Sequence, residues 1–175
     1  MVSIREIRGE DAERHLALCH KLDHETKFML YEPGERNTSL EHHRKFIQSF
    51  IASDNSTILI AEHGDQLVGY LLVDGGKARR IKHVGYIVAG ILAAYQGQGI
   101  GTRLFQALEE WRKNTELKRL ELTVISHNET AVSLYKKMGF EIEGTKKKSL
   151  YIEGRYIDEF YMGKTFEYAR LEGGE

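Results

Sequence analysis

The chain has 175 residues, the size of one domain and long enough to bury a substantial core. Hydrophobic residues make up 41%, and 25 basic side chains nearly balance 26 acidic ones for a formal net charge of -1. That balance describes a globular protein and argues against nucleic-acid binding, which usually shows a clear basic excess.

Residues 2–8 set Val2, Ile4 and Ile7 against Ser3 and Arg5, which predicts an opening strand. Ala12, Leu16, Cys19 and Leu22 recur at helical spacing and predict a helix over 11–22. Residues 25–39 break that pattern and hold the only proline, in Glu32-Pro33-Gly34-Glu35, so they read as a loop. Ser39 is placed to cap a second helix with Phe46, Ile47, Phe50 and Ile51 on its apolar face. His42 stands at its third helical position in place of the usual Glu.

The runs 56–62 and 67–73 flank His63-Gly64-Asp65-Gln66 and read as a hairpin. Residues 83–93 form a third apolar run carrying two glycines, which in a strand mark a bulge or a close backbone approach. A helix over 99–113 follows, with Leu104, Leu108 and Trp111 on one face. Then come a strand over 119–125, a helix over 129–138, and strands over 140–152 and 155–166 that turn at Gly154. This mixed order predicts one α/β domain over 1–166 with a partly antiparallel sheet, and a frayed tail over 167–175.

Gln96-Gly97-Gln98-Gly99-Ile100-Gly101 lies between a strand and a helix. Its glycines allow positive φ and close approach to a ligand. The first N–H groups of the helix lack partners and, with the macrodipole, favour an anion. The dinucleotide fingerprint fails, because its last glycine would fall on Thr102 or Leu104. Gly163-Lys164-Thr165 carries the end of a P-loop, but Asp158 stands where its first glycine belongs. A plain turn into a helix would also explain the loop.

Gln96, Gly99 and Gly101 fit the coenzyme A loop of the GNAT superfamily, Gln/Arg-x-x-Gly-x-Gly/Ala. The stretch from Asn128 through Ala131, Leu134-Tyr135 to Gly139-Phe140 resembles the second segment of that superfamily. The likeness runs from His83 to Lys164, and the ending, Glu143-Gly144 and then Gly154 to Met162, is similar to a bacterial branch of amino-acid, ribosomal-protein and polyamine N-acetyltransferases. The resemblance implies a mixed sheet of about seven strands, splayed at the acetyl-CoA site and flanked by about four helices. It also implies an acetyltransferase that moves the acetyl group to a primary amine by direct attack in a ternary complex.

By the same resemblance, backbone near Ile91 would pair with the pantetheine arm. The loop residues Gln96, Gln98, Gly99, Ile100 and Gly101 would hold the pyrophosphate. Asn128, placed to cap a helix, would touch the coenzyme as well. Tyr135 lies seven residues on, about two turns, and so on the same face as Asn128. As general acid it would assist the departing thiolate, its phenol having pKa about 10 against about 8.5 for a thiol. The base is open: Glu121, on the strand face opposite Leu120 and Leu122, or His83.

Cys19 belongs to an apolar stripe and reads as an inert buried thiol. His20 and His24 stand four apart but lack a third ligand, so no metal is expected. Lys146-Lys147-Lys148 reads as a solvated strand end. One cysteine excludes an intramolecular disulfide, no apolar run reaches the ~20 residues that span a bilayer, and residues 1–6 lack a signal-peptide core. A cytoplasmic protein without a membrane partner is expected. For the acceptor, Glu32 and Glu35 would suit a cationic amine and Arg36 a carboxylate, and the sequence leaves both open. The rival function is a non-catalytic acyl-CoA-binding regulatory domain. A homodimer is expected from the resemblance alone.

Overall fold

The computed structural model of the chain describes residues 1–167; apart from Glu167, the expected tail lies outside the described residues. Strand β1 (Val2–Glu6) leads to helix α1 (Ala12–Glu25), and the 26–39 loop connects it to α2 (Leu40–Ile51). A hairpin of β2 (Thr57–His63) and β3 (Gln66–Gly75) is followed by β4 (Val84–Ile91), α3 (Ile100–Arg112), β5 (Arg119–Ile125) and α4 (Glu129–Lys137). A second hairpin, β6 (Glu141–Ile152) and β7 (Arg155–Thr165), completes the chain. The seven strands form one sheet in the order β1-β2-β3-β4-β5-β7-β6. This is the mixed α/β architecture the sequence predicts.

All neighbours are antiparallel except β4 and β5, which pair in parallel over only Val84↔Arg119, Gly85↔Leu120 and Tyr86↔Glu121. Beyond those pairs each strand keeps its other neighbour. β3 follows β4 as far as Ile91, and β7 follows β5 as far as Ile125. Gly76 N–H bonds Val84 O at one end of β4 and Leu92 N–H bonds Val68 O just past the other. Even-numbered residues therefore point their backbone groups at β3 and odd-numbered ones toward β5; past the last pair, the Ile87 C=O, Ala89 and Ile91 point theirs into the gap.

The two faces of the sheet are dressed differently. A Cβ on Gly85 would meet Leu120 and Leu117, and one on Gly101 would meet Leu134 and Ile91, so α3 and α4 lie on the face of Ile91 and Leu120. A Cβ on Gly90 would meet Leu22 of α1 and Met29, which places α1 and the 26–39 loop on the other face. Tyr86, Glu121, Thr123, Glu159 and Tyr161 share that second face by register. Helices α1 and α2 cover β2 and β3 there.

Two details of the helices differ from expectation. In α2 only Ile47 and Phe50 of the four apolar residues are buried, while Phe46 and Ile51 are exposed. The buried stripe runs instead through His43, because α2 meets α1 one position further round. In α1 the stripe is Ala12, His15, Leu18, Cys19 and Leu22, with Leu16 at its margin. Ser39 does cap α2, accepting from His42 N–H at 3.2 Å.

Charged and titratable groups tie α1 to the sheet. Asp11, fully buried, accepts from Arg5 at 2.7 and 2.9 Å, from Arg8 N–H at 2.8 Å and from Arg14. The Arg5 guanidinium holds its carboxyl well below the usual carboxylate range. Between α1 and α2, His15 Nδ1 lies 2.9 Å from His43 Nε2, and His15 Nε2 is buried without a partner. Burial, then the charges of His43 and Arg36, pushes His15 down to about 3; burial and Arg36 lower His43 as well. Among the described residues no helix is long and apolar enough to cross a membrane.

These shifts fix a pH dependence. Both histidines are native in the neutral form, while in the unfolded chain they take up protons near pH 6.5. Stability is therefore full above about pH 6.5 and falls as pH drops toward 3, with Asp11 adding its loss in the carboxylate range. We expect the urea midpoint to decline from pH 6.5 downward. In a His15→Gln/His43→Gln variant the decline should begin only below about pH 5.

Candidate active site

The open stretch between β4 and β5 is the feature around which the candidate residues gather. Ile87 is buried; the Tyr86↔Glu121 pairing gives its N–H to the Glu121 carbonyl, and its C=O then faces the gap with no strand to pair it. Buried backbone groups require a partner, so a linear molecule with amide groups can enter as an added strand. Gln96 Nε2 donates to Ile91 O at 3.1 Å, which leaves the Ile91 N–H as the available group at the mouth.

The glycine loop follows β4 directly. Gly97 and Gly99 both have positive φ, 70° and 76°, and Gly99 sits at the N-cap of α3. The first helical bond runs from Arg103 N–H to Gly99 O, so among the described residues the N–H groups of 99–102 have no acceptor. Gln98 Nε2 bonds Ala94 O at 2.9 Å. The glutamines thus brace the loop through their side chains and leave its backbone to face a ligand. Gly101 serves packing: a Cβ there would stand 2.7 Å from Leu134 Cδ2, so its small size lets α3 approach α4. An anion with phosphate geometry fits this cradle.

Asn128 caps α4, its Oδ1 accepting from Ala131 N–H at 3.3 Å, and its amide N–H groups have no partner among the described residues. Two turns on, Tyr135 is half-buried, with its ring against Phe105 and Phe140 at 5.6 and 6.3 Å. Its hydroxyl makes no hydrogen bond with the described residues. Burial, with a smaller contribution from Tyr86, pushes its pKa up to about 12. The phenol is therefore a donor at any physiological pH.

Glu121 lies on the opposite face, at the last paired position before the gap opens. Its Oε2 accepts from Arg119 Nε at 2.9 Å; Arg119 also bonds Glu143 at 3.0 Å. Glu121 Oε1 accepts nothing from the described residues. His83 stands at the closed end of the gap, its carbonyl bonded to Lys118 and Arg119 N–H.

Three features escape a reading of the sequence. Tyr86 Oη lies 2.8 Å from Thr123 Oγ1, spanning the gap just above its vertex. The 26–39 loop roofs the same face, with Met29 over Gly90 and Phe28 against His127 at 5.8 Å. Beyond the end of β5 is a cavity of about 480 Å³ lined by Lys27, His127, Ile152, Glu153, Arg155 and Ile157. The alternation of β5 marks Thr123 as outward, but only the β4–β5 register shows what it faces. Nothing local joins Lys27 to Arg155.

Two of the three charges expected to choose a substrate, Arg36 and Glu35, are otherwise engaged. Arg36 is held by buried Asp23 at 2.7 and 3.1 Å and lies 4.8 Å from the Tyr31 ring, and Glu35 accepts from Glu32 N–H at 2.8 Å. Among the described residues there is no group of three or more His, Cys, Asp or Glu side chains that could hold a metal ion.

A family model described as the acetyltransferase (GNAT) domain matches residues 4–161. Over 107 residues the chain is 35% identical to the L-amino acid N-acetyltransferase AaaT of Escherichia coli, an alignment spanning 61% of this chain and just under two thirds, 66%, of that protein. A crystal structure of a GNAT-family acetyltransferase from Streptococcus pneumoniae superposes with a TM-score of 0.91 at 32% identity, covering 95% of this chain and all of that one. The structure of yncA from Salmonella typhimurium with its cofactor acetyl-CoA shares the fold, with a TM-score of 0.84 at 16% identity and 96% coverage of each chain.

Gly99 isolates the backbone contribution of the loop. No atom lies within 4 Å of a Cβ built on it, so Gly99→Ala meets no steric clash and bears only the cost of φ +76°. We expect a loss of about 1–2 kcal/mol in urea unfolding. An unchanged midpoint would mean that the loop does not hold this conformation in solution.

Proposed function

The chain belongs to the GNAT acetyltransferase family, and on that premise we propose that it moves an acetyl group from acetyl-CoA to a primary amine by direct attack in a ternary complex. The observation that carries the reading is the open stretch of the β4–β5 gap, with unpaired strand backbone on one side and the unpartnered Tyr135 hydroxyl beside it. The pantetheine amides pair with the Ile87 C=O, Ala89 and the Ile91 N–H, and the pyrophosphate rests on the N–H groups of 99–102. Gln96 and Gln98 hold that loop in shape, and the amide of Asn128 faces the coenzyme. When bound, acetyl-CoA supplies the activated carbonyl carbon.

In the overall step a C–N bond forms, the C–S bond breaks, the amine nitrogen loses a proton and the thiolate gains one. Tyr135 acts at the sulfur. A phenol near 12 is about 3–4 pKa units weaker as an acid than a thiol, so full transfer before bond cleavage would cost roughly 5 kcal/mol. Tyr135 therefore donates a hydrogen bond that strengthens as charge develops, and the proton crosses late. Glu121 takes the amine proton. It stands at the vertex on the acceptor face, with Oε1 open to a water and Oε2 steadied by Arg119. The acceptor enters from the cavity between the 26–39 loop and the β6–β7 hairpin, and Tyr86 and Thr123 form the floor beneath it.

We place the protein in the cytoplasm. Cys19 is buried and free, and burial pushes it up to about 11, so it persists as an unreactive thiol in a reducing compartment. We further propose a homodimer formed along the outer edge of β6, a 12-residue edge strand on which Ile142 and Tyr151 are exposed.

Tyr135→Phe keeps the ring packing and removes the donor. We expect kcat to fall roughly 10–1000-fold while the acetyl-CoA affinity measured by calorimetry stays the same. Wild-type kcat, with chemistry shown to be rate-limiting, would leave Tyr135 as a packing residue and favour a coenzyme-binding module without catalysis. Light scattering at assay concentration should give twice the chain mass; a monomer mass refutes the dimer.

A further inference from the structure

Charge differs between the gap and the cavity. On the sheet face that runs toward the gap, Glu121 and Glu143 share the single guanidinium of Arg119, and Glu159, set opposite Lys146 on β6, accepts from the Ser149 hydroxyl. In the cavity itself the charges run the other way. Lys27 and Glu153 neutralise each other at 2.6 Å, linking the 26–39 loop to the tip of the hairpin. Arg155 has no ion-pair, hydrogen-bond or ring partner among the described residues. It lines the cavity on the same face of β7 as Glu159, four residues and about 13 Å along the strand.

The tip is also shaped to present this residue. Glu153 and Gly154 both have positive φ, 49° and 78°, as a two-residue turn of the primed type requires, and Arg155 is the next residue. Glu in that conformation is unfavourable, and the Lys27 pair across the cavity mouth is the contact that offsets it. Arg36 of the 26–39 loop is engaged by Asp23. What the cavity lining itself offers an acceptor is one unneutralised guanidinium, with the carboxylates of Glu159 and Glu121 further along the same face toward the gap.

We propose that the amine acetylated by this protein carries an anionic group remote from its nitrogen, and that Arg155 is the specificity-determining residue that binds it. The inference rests on the acceptor entering by this cavity, as the proposed function has it. The carboxylates on the face beyond the cavity draw the amine in as its ammonium form toward the gap, and Arg155 pairs with the trailing carboxylate in bidentate geometry. A polyamine of similar length would instead set its second ammonium against Arg155.

The test compares ω-amino acids of increasing chain length with their primary amides, using acetyl-CoA as donor and thiol release as readout, in the wild type and in Arg155→Gln. In the wild type, a carboxylate at the spanning length should exceed its amide by about tenfold in kcat/KM. Arg155→Gln should erase that difference through KM, with kcat and the rates for the amides unchanged. Calorimetry of the N-acetylated carboxylate product in the presence of coenzyme A should weaken by the same factor. Equal use of amides, carboxylates and spermidine by the wild type at every length would overturn the proposal, as would an Arg155→Gln variant that loses both series alike. Thiol release that ignores the carboxylate refutes this inference alone. No thiol release from any acceptor, together with no binding of acetyl-CoA, overturns the proposed function and this inference with it.

Discussion

Parallel pairing between β4 and β5 stops after three residue pairs, and the arrangement of the whole candidate site follows from that stop. Each strand is secured on its far side, β4 by β3 and β5 by β7, so the sheet survives the opening without either strand losing its place. The Ile87 C=O, both backbone groups of Ala89 and the Ile91 N–H are then left without a strand partner. A sheet tolerates such a defect in its middle only where something else can complete the hydrogen bonding. An extended, amide-bearing ligand meets that requirement, because it can substitute for a strand.

The opening also lets the two faces of the sheet communicate. Tyr135 belongs to the α3–α4 face, while Tyr86, Glu121 and Thr123 belong to the other, yet burial and the nearby Tyr86 both raise the Tyr135 phenol. A donor on one face and a carboxylate on the other can act on one reacting carbon only through such a hole. The face chosen for each is set by simple alternation along β5: Leu120, Leu122 and Val124 go to the core, and Glu121 and Thr123 go to the face of α1 and the 26–39 loop.

The N-terminal half holds the acceptor-side wall in place. Asp11 joins Arg5 of β1 to Arg14 of α1, and Asp23 joins the far end of α1 to Arg36 of the loop. These buried pairs fix both ends of α1, and the segment from Lys27 to Met29 can then reach across the gap to Glu153, His127 and Gly90. Desolvating both charges offsets most of their attraction, which is why these contacts define position more than they add stability, although removing one partner alone would leave an uncompensated buried charge.

The sequence by itself determined the elements, because each depends on neighbours within a few residues. Alternation places the strands, helical spacing places the helices, Ser39 and Asn128 mark two helix starts, and the glycines from 97 to 101 mark the anion cradle. Local pattern was misleading only where the partner decides what is buried, as with Phe46 exposed and His15 and His43 inside. Tertiary structure alone decided the length of the β4–β5 pairing, the side-chain bond from Tyr86 to Thr123, and the meeting of Lys27 with Glu153, 126 residues apart in sequence. It also decided which charges are consumed: Arg36 is spent on Asp23, and Arg155 is left facing the cavity. Charge type is written in the sequence, but availability is a difference between neighbours, and neighbours at that range exist only once the sheet has formed.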